Sequence, residues 1–304
     1  MNPGDTHIKN SRCLVAGGNG FIGSRVVDSL LLLGAQEVVI VGQGVSRTKD
    51  THVRYVVCDL CRDESVEIVA KMGTFDYIFN VVGVTDQRMP HPNPVELFDA
   101  NVRTLIHLTQ GIVWESVRGA VHVGSNIEYG LQPIPHHEDL KLLPTNIYGW
   151  SKASASLYAQ TMAKSGFAKW CVARPFFAYG PGKQTGLIPQ LIKTLSEGKP
   201  CTVFNHTRDP VYVDDVAEGL IRLAVCPNAQ GEIVNICTGK EIPIRKIAEL
   251  IQRKIGKGSI VFESENRPGD LLQSCGSITK LKILTAWSPA TNLSQGLEKI
   301  IKTI

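Results

Sequence analysis

Short apolar runs of strand length recur through the first half of the chain, and each is continuous rather than alternating. They are Cys13–Ala16, Val38–Val41, Val53–Val57, Tyr77–Val82, Gly119–Gly124 and Trp170–Ala173. Continuous apolar strands are typical of a parallel sheet that is buried on both faces. Patterns of helical spacing follow several of these runs, at Phe21–Leu33, Pro94–Trp114 and Tyr148–Ser165. The repeated strand–helix order predicts an α/β fold with a doubly wound parallel sheet and right-handed crossovers.

Proline and glycine become dense from Arg174 onward, and the predicted elements there are shorter. The predicted helices are Leu187–Glu197, Asp214–Val225, Ile244–Ile255 and Asn292–Ile304, and the predicted strands are Thr202–Phe204, Val211–Val213 and Ile233–Ile236. No low-complexity linker separates the two halves of the chain. We therefore expect two parts that are interleaved around one cleft.

Three glycines follow the first strand and open the first predicted helix. Gly17 permits a tight turn, Gly20 lets the backbone approach a pyrophosphate, and Gly23 lets the helix pack on the strand. The alternative is a tight turn that holds no ligand. We predict a dinucleotide-binding Rossmann domain over residues 1–174, with 208–240 returning to it, and a smaller α/β substrate-binding part from 175–207 and 241–304.

The end of the second strand lacks the acidic residue that normally holds the adenosine ribose about twenty positions after such glycines. It reads Val41-Gly42-Gln43-Gly44, and Ser46 and Arg47 follow in the loop. Loss of the carboxylate removes repulsion against a 2′-phosphate, which Arg47 would neutralise. The sequence therefore favours NADP(H). The alternative is that Arg47 is solvated and that NAD binds through other groups.

Tyr148 and Lys152 are four residues apart in a predicted helix, so their side chains share one face. An ammonium group beside a phenol favours the phenolate, whose unperturbed pKa is about 10. The pair therefore predicts a proton acceptor at neutral pH. Beside a dinucleotide, it indicates hydride transfer coupled to proton transfer at a carbon that bears a hydroxyl. The alternative is an exposed helix pair with a trivial contact.

Composition narrows the class of partner. The 304 residues are 43% apolar and 20% charged, and the lysines and arginines behind the net charge of +4 are scattered. This distribution argues against a nucleic-acid partner and fits anionic small molecules. No segment approaches the roughly 20 apolar residues that span a membrane, so we expect no membrane partner. The polar start resembles no secretory signal, and we expect a cytoplasmic protein.

The cysteine and histidine positions bear on whether the chain binds a metal ion. The eight cysteines suit a reducing compartment and do not resemble a disulfide framework. Cys58 and Cys61 have the spacing of a metal-binding pair, and His136 and His137 are adjacent in a proline-rich loop. No second pair follows at suitable spacing, and adjacent residues rarely chelate one ion. We expect no metal site.

The motifs together resemble the extended short-chain dehydrogenase/reductase family, which contains epimerases, dehydratases and ketoreductases of nucleotide sugars. The resemblance covers nearly the whole chain. It is carried by AGGNGFIG at 16–23, CDL at 58–60, VGSNIEYG at 123–130, the pair Tyr148 and Lys152, RPFFAYGPG at 174–182, RDPVYVDD at 208–215 and RPGD at 267–270.

The resemblance implies functional roles within these motifs. The implied catalytic residues are Ser125, Tyr148 and Lys152. With the residues discussed above, the expected cofactor-binding set is Gly17, Asn19, Gly20, Phe21, Ile22, Gly23, Gly42, Ser46, Arg47, Asp59, Leu60, Val82, Tyr148, Lys152 and Pro175. The expected substrate-binding set is Ser125, Asn126, Phe177, Arg208, Arg267 and Asp270. The two arginines offer planar donor forks suited to a diphosphate, although each could instead be an ordinary surface arginine.

Three departures from the family pattern bear on the reaction. The dehydratases carry an acid–base Asp-Glu pair directly after the catalytic Ser or Thr, but Asn126 and Ile127 occupy those positions here, which argues against a 4,6-dehydratase. Glu128 is one place further on, where strand-end geometry points it differently. The strand end that is usually His-Leu-Ala-Ala reads NVVG at 80–83, and Phe177 replaces an asparagine that often contacts the diphosphate.

The resemblance implies chemistry at C4 of a hexose linked to a nucleoside diphosphate. Tyr148 would take the hydroxyl proton as hydride leaves, Lys152 would lower the pKa of the tyrosine, and Ser125 would bind the reacting oxygen. We expect an NDP-sugar 4-epimerase. The alternatives are an NADPH-dependent reductase of an NDP-4-keto-6-deoxyhexose and a non-catalytic dinucleotide-sensing or scaffold protein.

The resemblance also implies a homodimer. The predicted helices Pro94–Trp114 and Tyr148–Ser165 commonly form a four-helix interface in this family. The second helix carries the small residues Ala153, Ala155, Ala159 and Ala163, which allow close helix approach. The alternative is that these alanines pack inward on the sheet.

Overall fold

The computed structural model describes residues 7–45, 50–85, 93–263 and 272–302. The strands are β1 (Arg12–Ala16), β2 (Glu37–Gly42), β3 (Val53–Val57), β4 (Tyr77–Asn80), β5 (Gly119–Val123), β6 (Trp170–Pro175), β7 (Phe177–Tyr179), β8 (Pro200–Phe204), β9 (Thr207–Arg208), β10 (Pro210–Tyr212), β11 (Ile233–Ile236), β12 (Ile242–Pro243) and β13 (Ser259–Glu263). The α-helices are α1 (Phe21–Leu32), α2 (Ser65–Ala70), α3 (Pro94–Phe98), α4 (Thr104–Gly111), α5 (Ile147–Lys164), α6 (Leu187–Ser196), α7 (Val213–Ala224), α8 (Ile244–Ile255), α9 (Thr279–Thr285) and α10 (Leu293–Ile301).

Seven of these strands form one parallel sheet in the order β3-β2-β1-β4-β5-β6-β11. Every residue of β4, β5, β6 and β11 is buried, which agrees with the continuous apolar runs in the sequence. The predicted doubly wound parallel sheet is therefore confirmed. The strand order reverses between β1 and β4, and ligands of such sheets bind at the carboxyl ends of the strands near that point.

Helices cover both faces of the sheet and enclose two apolar layers. On one face α1 packs against α7 through residues that include Leu30 and Leu220. On the other face α2, α4 and α5 contribute residues that include Val69, Leu108 and Ala159. Burying one such Leu or Val side chain stabilises the fold by about 1.5–3 kcal/mol. The two layers hold the sheet, and hence its carboxyl edge, in a fixed geometry.

A third apolar cluster lies in the second half of the chain, where α6, α8 and α10 bring together Leu191, Ile247 and Leu297. Short strand pairs accompany it: β7 with β10 and β8 with β13 are parallel, and β9 with β12 is antiparallel. Leu281 of α9 packs instead in a layer of the large sheet. Strand β7 begins two residues after β6 ends, so the chain leaves the large sheet and enters the small pair at one point.

The predicted helix Pro94–Trp114 differs most from the structure. It is divided by a π-helical turn, Asp99–Arg103, and α4 ends at Gly111. A π turn inserts one extra residue per turn and is found mostly at functional sites. The helix ends where Gly111 meets α2, since a Cβ there would lie 2.7 Å from the Cβ of Val69. Apolar periodicity does not reveal either feature.

Candidate active site

The glycine loop follows β1 and packs against backbone on two sides. Gly17 has a φ of 82°, and a Cβ there would lie 3.0 Å from the Val82 nitrogen. At Gly23 a Cβ would lie 2.2 Å from the carbonyl oxygen of Gly17, far inside van der Waals contact. The tight turn and the close helix packing expected of these two glycines follow directly from this geometry. Val82, another predicted cofactor residue, lies against the same loop.

Helix α1 begins with an open N-terminus. Gly20 is the N-cap residue, no side chain of the described residues caps the helix, and the first turn contains no acidic residue. The first amides, including those of Phe21 and Ile22, are therefore not bonded within the helix and carry the positive end of its dipole. A diphosphate fits such a terminus, and Gly20 is exposed, which leaves the backbone open to approach.

The loops after β2 and β3 form the next part of the predicted cofactor site. Gly42 ends β2, and the hydroxyl of Tyr55 donates to the carbonyl oxygen of Gln43 at 3.0 Å. Asp59 hydrogen-bonds the side chain of Gln43, so the two loops are joined. Burial opposes ionisation of Asp59, but hydrogen bonds from Cys61 and Gln43 prevail and lower its pKa.

Asn19 joins the glycine loop to the β2 loop, because its side-chain amide donates to the carbonyl oxygen of Val45 at 2.8 Å. Leu60 is buried. Ser46 and Arg47, the residues expected to meet a 2′-phosphate, lie outside the described residues.

Asn101 was not identified from the sequence. It lies in the π turn, where its side-chain oxygen accepts from the Val84 amide at 3.1 Å and its nitrogen donates to Ser151 Oγ at 2.9 Å. A Cβ at Gly83 would lie 2.8 Å from Asn101 Oδ1 and 3.4 Å from Lys152 Nζ. Asn101 therefore fixes the segment after β4 against the catalytic helix. No signal in the sequence sets Asn101 apart, because polar residues such as Asp99 and Arg103 occur throughout the same predicted helix.

The three predicted catalytic residues converge. Ser125 follows β5, and Tyr148 and Lys152 lie one turn apart in α5. The Tyr148 hydroxyl hydrogen-bonds the Ser125 side chain, and the Lys152 ammonium donates to the carbonyl oxygen of Val123 at 2.6 Å. All three side chains are buried. A phenol, a hydroxyl and an ammonium thus meet at the carboxyl end of β5.

Burial is the largest influence on the pKa values of Tyr148 and Lys152. It raises the pKa of Tyr148 to about 12, against the opposing hydrogen bond from Ser125, and it lowers the pKa of Lys152 to about 8. The expectation that Lys152 lowers the pKa of the tyrosine is therefore wrong for this structure. The ammonium is bound to the Val123 carbonyl, and desolvation of the phenolate outweighs any attraction to it.

A buried ion pair lies directly behind the serine. Glu128 Oε2 accepts from Arg174 Nε at 2.8 Å, and both side chains are 0% exposed. Glu128 Oε1 accepts from the Ser125 amide at 2.7 Å and from Ser156 Oγ at 2.9 Å. Glu128 thus points into the protein. Ser156 and Arg174 are 28 and 46 residues from Glu128 in sequence, so no local pattern could identify these two contacts.

Two of the predicted substrate residues are held by neighbours in the second half of the chain. Asn126 donates to Ser274 Oγ at 2.8 Å. Phe177 begins β7, and the Nζ of Lys183 lies 5.9 Å from its ring centroid and 5.1 Å from that of Phe21. Burial lowers the pKa of Lys183, and its Nζ donates to the carbonyl oxygen of Ala178 at 2.7 Å. Lys183 is therefore a partly desolvated cation between the predicted cofactor and substrate residues, and sequence analysis missed it.

The remaining predicted residues are only partly placed. Pro175 ends β6 and is buried at the same edge of the sheet. Arg208 lies in β9, half-buried, and its Nη1 donates to the carbonyl oxygen of Thr207 at 2.7 Å. Arg267 and Asp270 lie outside the described residues, so the arrangement of the expected diphosphate clamp stays a prediction.

Within the described ranges, no group of three or more His, Cys, Asp or Glu side chains could hold a metal ion. The eight cysteines are free thiols. Among the described helices, none combines the length and the hydropathy that crossing a membrane requires.

The outer face of α5 bears on the predicted dimer. Ala155, Ala159 and Ala163 belong to the apolar layer between α5 and the sheet, so inward packing is the correct interpretation of these alanines. The outward-facing residues include Trp150 and Leu157, which are 49% and 51% exposed.

A comparison with family models matches residues 13–237 to the NAD dependent epimerase/dehydratase family. Two relatives extend over nearly the whole chain. The UDP-glucuronate 4-epimerase of Thermodesulfobacterium geofontis is 27% identical, with 95% of this chain and 94% of the relative aligned. The UDP-glucose 4-epimerase of Mycolicibacterium smegmatis is 26% identical, with 96% of this chain and 97% of the relative aligned.

Solved structures show the same fold. An epimerase from Methanothermobacter thermautotrophicus superposes with a TM-score of 0.89 at 23% identity, covering 99% of this chain and 93% of the other. The UDP-glucuronic acid 4-epimerase of Bacillus cereus, in complex with UDP-glucuronic acid and NAD, superposes with a TM-score of 0.86 at 24% identity, covering 96% of this chain and 98% of the other.

Proposed function

This chain belongs to the NAD-dependent epimerase/dehydratase family, and from that premise we propose that it is an NDP-sugar 4-epimerase acting by reversible hydride transfer at C4 of the sugar. The observation that carries the proposal is the convergence of Ser125, Tyr148 and Lys152 at the same carboxyl edge of the sheet as the open N-terminus of α1. The two relatives described as UDP-sugar 4-epimerases support this reaction.

Each catalytic side chain has its own role in the reaction. Tyr148 takes the proton of the C4 hydroxyl as the C–H bond breaks and returns it when the other face is reduced. Ser125, hydrogen-bonded to the phenol, binds the same oxygen and stabilises its developing charge. Lys152 holds the cofactor ribose. When bound, a nicotinamide dinucleotide would supply the hydride acceptor, and the positive charge of its oxidised form would favour ionisation of a nearby phenol.

The cofactor would lie along the glycine loop, with its pyrophosphate at the N-terminus of α1 and its adenine near Asp59 and Leu60. We propose a preference for NADP(H) over NAD(H), because Gly42 offers no carboxylate to repel a 2′-phosphate. The Bacillus cereus structure contains NAD, so this preference would be a property of the present chain.

The substrate would lie on the side of β7. Arg208, Arg267 and Asp270 would hold its diphosphate, with Asn126 and Phe177 along its length. Lys183 supports an anionic ligand in this region, since it is a partly desolvated cation whose Nζ is bonded to a neutral carbonyl group, that of Ala178. We propose accordingly that residues 1–174 and 208–240 bind the dinucleotide and that 175–207 and 241–304 bind the nucleotide sugar.

We also propose a homodimer through the helices between Pro94 and Lys164. The exposed Trp150 and Leu157 support it, as does the ring of Phe98, which lies 5.1 Å from that of Trp150 and continues the same surface. Burying such apolar side chains against a second copy would stabilise the pair.

Proton and deuterium NMR of the sugar C4 tests the reaction. The protein is incubated with UDP-glucose or UDP-glucuronate and catalytic NAD(P), in ordinary and in deuterated water. We expect inversion at C4 without solvent deuterium at that carbon, because the enzyme returns the hydride that it removed. Tyr148→Phe is the matched control.

The outcome also separates the alternatives. Stoichiometric oxidation of NADPH by an NDP-4-keto-6-deoxyhexose, without inversion of any nucleotide hexose, would establish the reductase instead. Dinucleotide binding with neither reaction would indicate a sensor or scaffold.

A further inference from the structure

A single carboxylate oxygen joins the catalytic helix to the catalytic serine. Tyr148, Lys152 and Ser156 are spaced four residues apart in α5 and therefore share one face. Ser156 Oγ donates to Glu128 Oε1 at 2.9 Å, and the amide of Ser125 donates to the same oxygen at 2.7 Å. The face that carries the phenol and the ammonium is thus tied, one turn further on, to the residue that contacts the phenol.

The carboxylate is itself held in place from the sheet. Its second oxygen accepts from Nε of Arg174, near the end of β6, and the guanidinium lies 4.6 Å from the ring centroid of Tyr129. Glu128 and Arg174 are both 0% exposed. Charge-assisted hydrogen bonds in such an environment are short and directional. Glu128 therefore has one position, which β5, β6 and α5 determine together.

The backbone makes room for this bridge at Gly124. A Cβ there would lie 2.5 Å from Glu128 Oε1 and 2.9 Å from Ser156 Oγ. Gly124 has no positive φ that would require glycine. The absence of a side chain at this position is thus explained by the space that the Glu128–Ser156 contact occupies.

We propose that Glu128 is a positioning residue that sets the distance and orientation of Ser125 relative to Tyr148 and Lys152. It does not touch the substrate, since it is fully buried. The expected effect of Glu128 on turnover rests on the proposed function. The expected effect of Glu128 on the pKa of the Tyr148 phenol rests on the structure alone.

Two substitutions test the bridge from its two ends. Glu128→Gln keeps the shape but removes the charge, and Ser156→Ala removes only the link to the helix. We expect each to lower kcat by about 10- to 100-fold, because small misplacements of reacting groups cost that much. The KM for the nucleotide sugar and the Kd for the cofactor should change less than about threefold, because neither ligand contacts these groups. Ser154→Ala is the matched control, since the hydroxyl of Ser154 on the same helix donates a solvent-exposed hydrogen bond to the carbonyl oxygen of Trp150 at 3.0 Å.

The phenol of Tyr148 gives a readout that needs no turnover. Its pKa is measured by ultraviolet titration, as the difference between each protein and the same protein with Tyr148→Phe. The charges facing Glu128 are Arg174 from β6 and Lys152 from α5, with the phenols of Tyr129 and Tyr148. Removing the negative charge of Glu128 should lower the Tyr148 pKa and move the rise of kcat with pH in the same direction. A role in stability alone would leave both unchanged.

Folded Glu128→Gln and Ser156→Ala proteins that both keep kcat within about twofold of wild type would overturn the proposal, as would an unshifted Tyr148 pKa in Glu128→Gln. If Glu128→Gln does not fold, Ser156→Ala and Gly124→Ala carry the test, the second because its methyl group displaces the carboxylate. If the wild type turns over no nucleotide sugar, the proposed function fails, whereas the titration still decides whether Glu128 acts on the phenol.

Discussion

The two loops that meet at the active site are built in different ways. The glycine loop at 17–23 is shaped by backbone packing, since side chains at Gly17 and Gly23 would collide with the chain itself. The serine loop at 124–129 is shaped by buried charge, through the ion pair of Glu128 and Arg174. The first leaves helix amides open to a ligand, and the second encloses a carboxylate completely.

This difference has a consequence for how each loop tolerates change. Backbone packing does not depend on pH or on the charge of distant residues, so the glycine loop can hold a cofactor independently of the chemistry beside it. Removing one partner of a buried ion pair costs the protein several kcal/mol of stability. The charges of such a pair also shift the pKa of titratable groups nearby. We therefore expect cofactor binding and catalysis to separate under mutation.

Tyr148→Phe should separate them most. The variant loses the transferable proton, and removal of a general acid–base group costs roughly 10²- to 10⁴-fold in rate. Cofactor affinity should stay nearly unchanged, because the glycine loop is not disturbed. Single-turnover kinetics and calorimetric titration of the dinucleotide measure the two effects. A variant that keeps half of the wild-type activity would show that another group carries the proton.

The buried ammonium of Lys152 should make the free energy of unfolding depend on pH. Burial lowers its pKa from the ordinary value of 10.5 to about 8, so between these two pH values the unfolded chain binds more protons than the folded protein. The free energy of unfolding therefore gains a contribution from Lys152 as pH rises through this window, by about 2–3 kcal/mol.

Urea unfolding at pH 8 and pH 10 checks this. Between these pH values wild type should gain that amount relative to Lys152→Met, whereas Lys246→Met, at an exposed position of α8, should follow wild type. Equal pH dependence in wild type and Lys152→Met would show that the ammonium is not desolvated.

The glycine loop could be predicted from the sequence, whereas the long-range contacts of the serine loop could not, for physical reasons. Glycines are conspicuous because backbone packing tolerates nothing else, so Gly17 and Gly23 could be assigned roles from spacing alone. Two partners of Glu128, Ser156 and Arg174, come from α5 and β6, and only the fold brings them to it. The same holds for Asn101, which reaches Ser151 from a π turn that periodicity does not show. The tyrosine pKa was predicted in the wrong direction, because sequence spacing shows proximity but not burial.

Arg208→Ala extends the comparison to the substrate side. If its guanidinium binds the diphosphate, losing a charge-assisted contact should cost about 1.5–3 kcal/mol and raise the KM for the nucleotide sugar accordingly. The Kd for the cofactor should not change. Arg245→Ala is the matched control, because Arg245 is exposed and pairs with Glu249 on the same helix. An unchanged KM in the first variant would refute its place in the clamp.

Gly42→Asp should produce the smallest effect, and it tests whether a charge placed on the cofactor side changes the choice of cofactor without changing catalysis. Gly42 has no positive φ, and among the described residues a Cβ there would meet only the Tyr55 hydroxyl at 3.5 Å, an ordinary contact, so the variant should fold normally. Its carboxylate would repel a 2′-phosphate and accept from a free ribose hydroxyl. We expect NADPH binding to weaken by about tenfold, or about 1.4 kcal/mol, with NADH binding unchanged or tighter.

Calorimetric titrations of both dinucleotides with wild type and variant measure this. Tighter binding of NADH than of NADPH by the wild type would refute the NADP(H) preference but keep the site, whereas binding of neither would refute the site itself. If the preference reverses in the variant while the kcat of the bound form is unaltered, cofactor choice and catalysis are separable, as the different construction of the two loops requires.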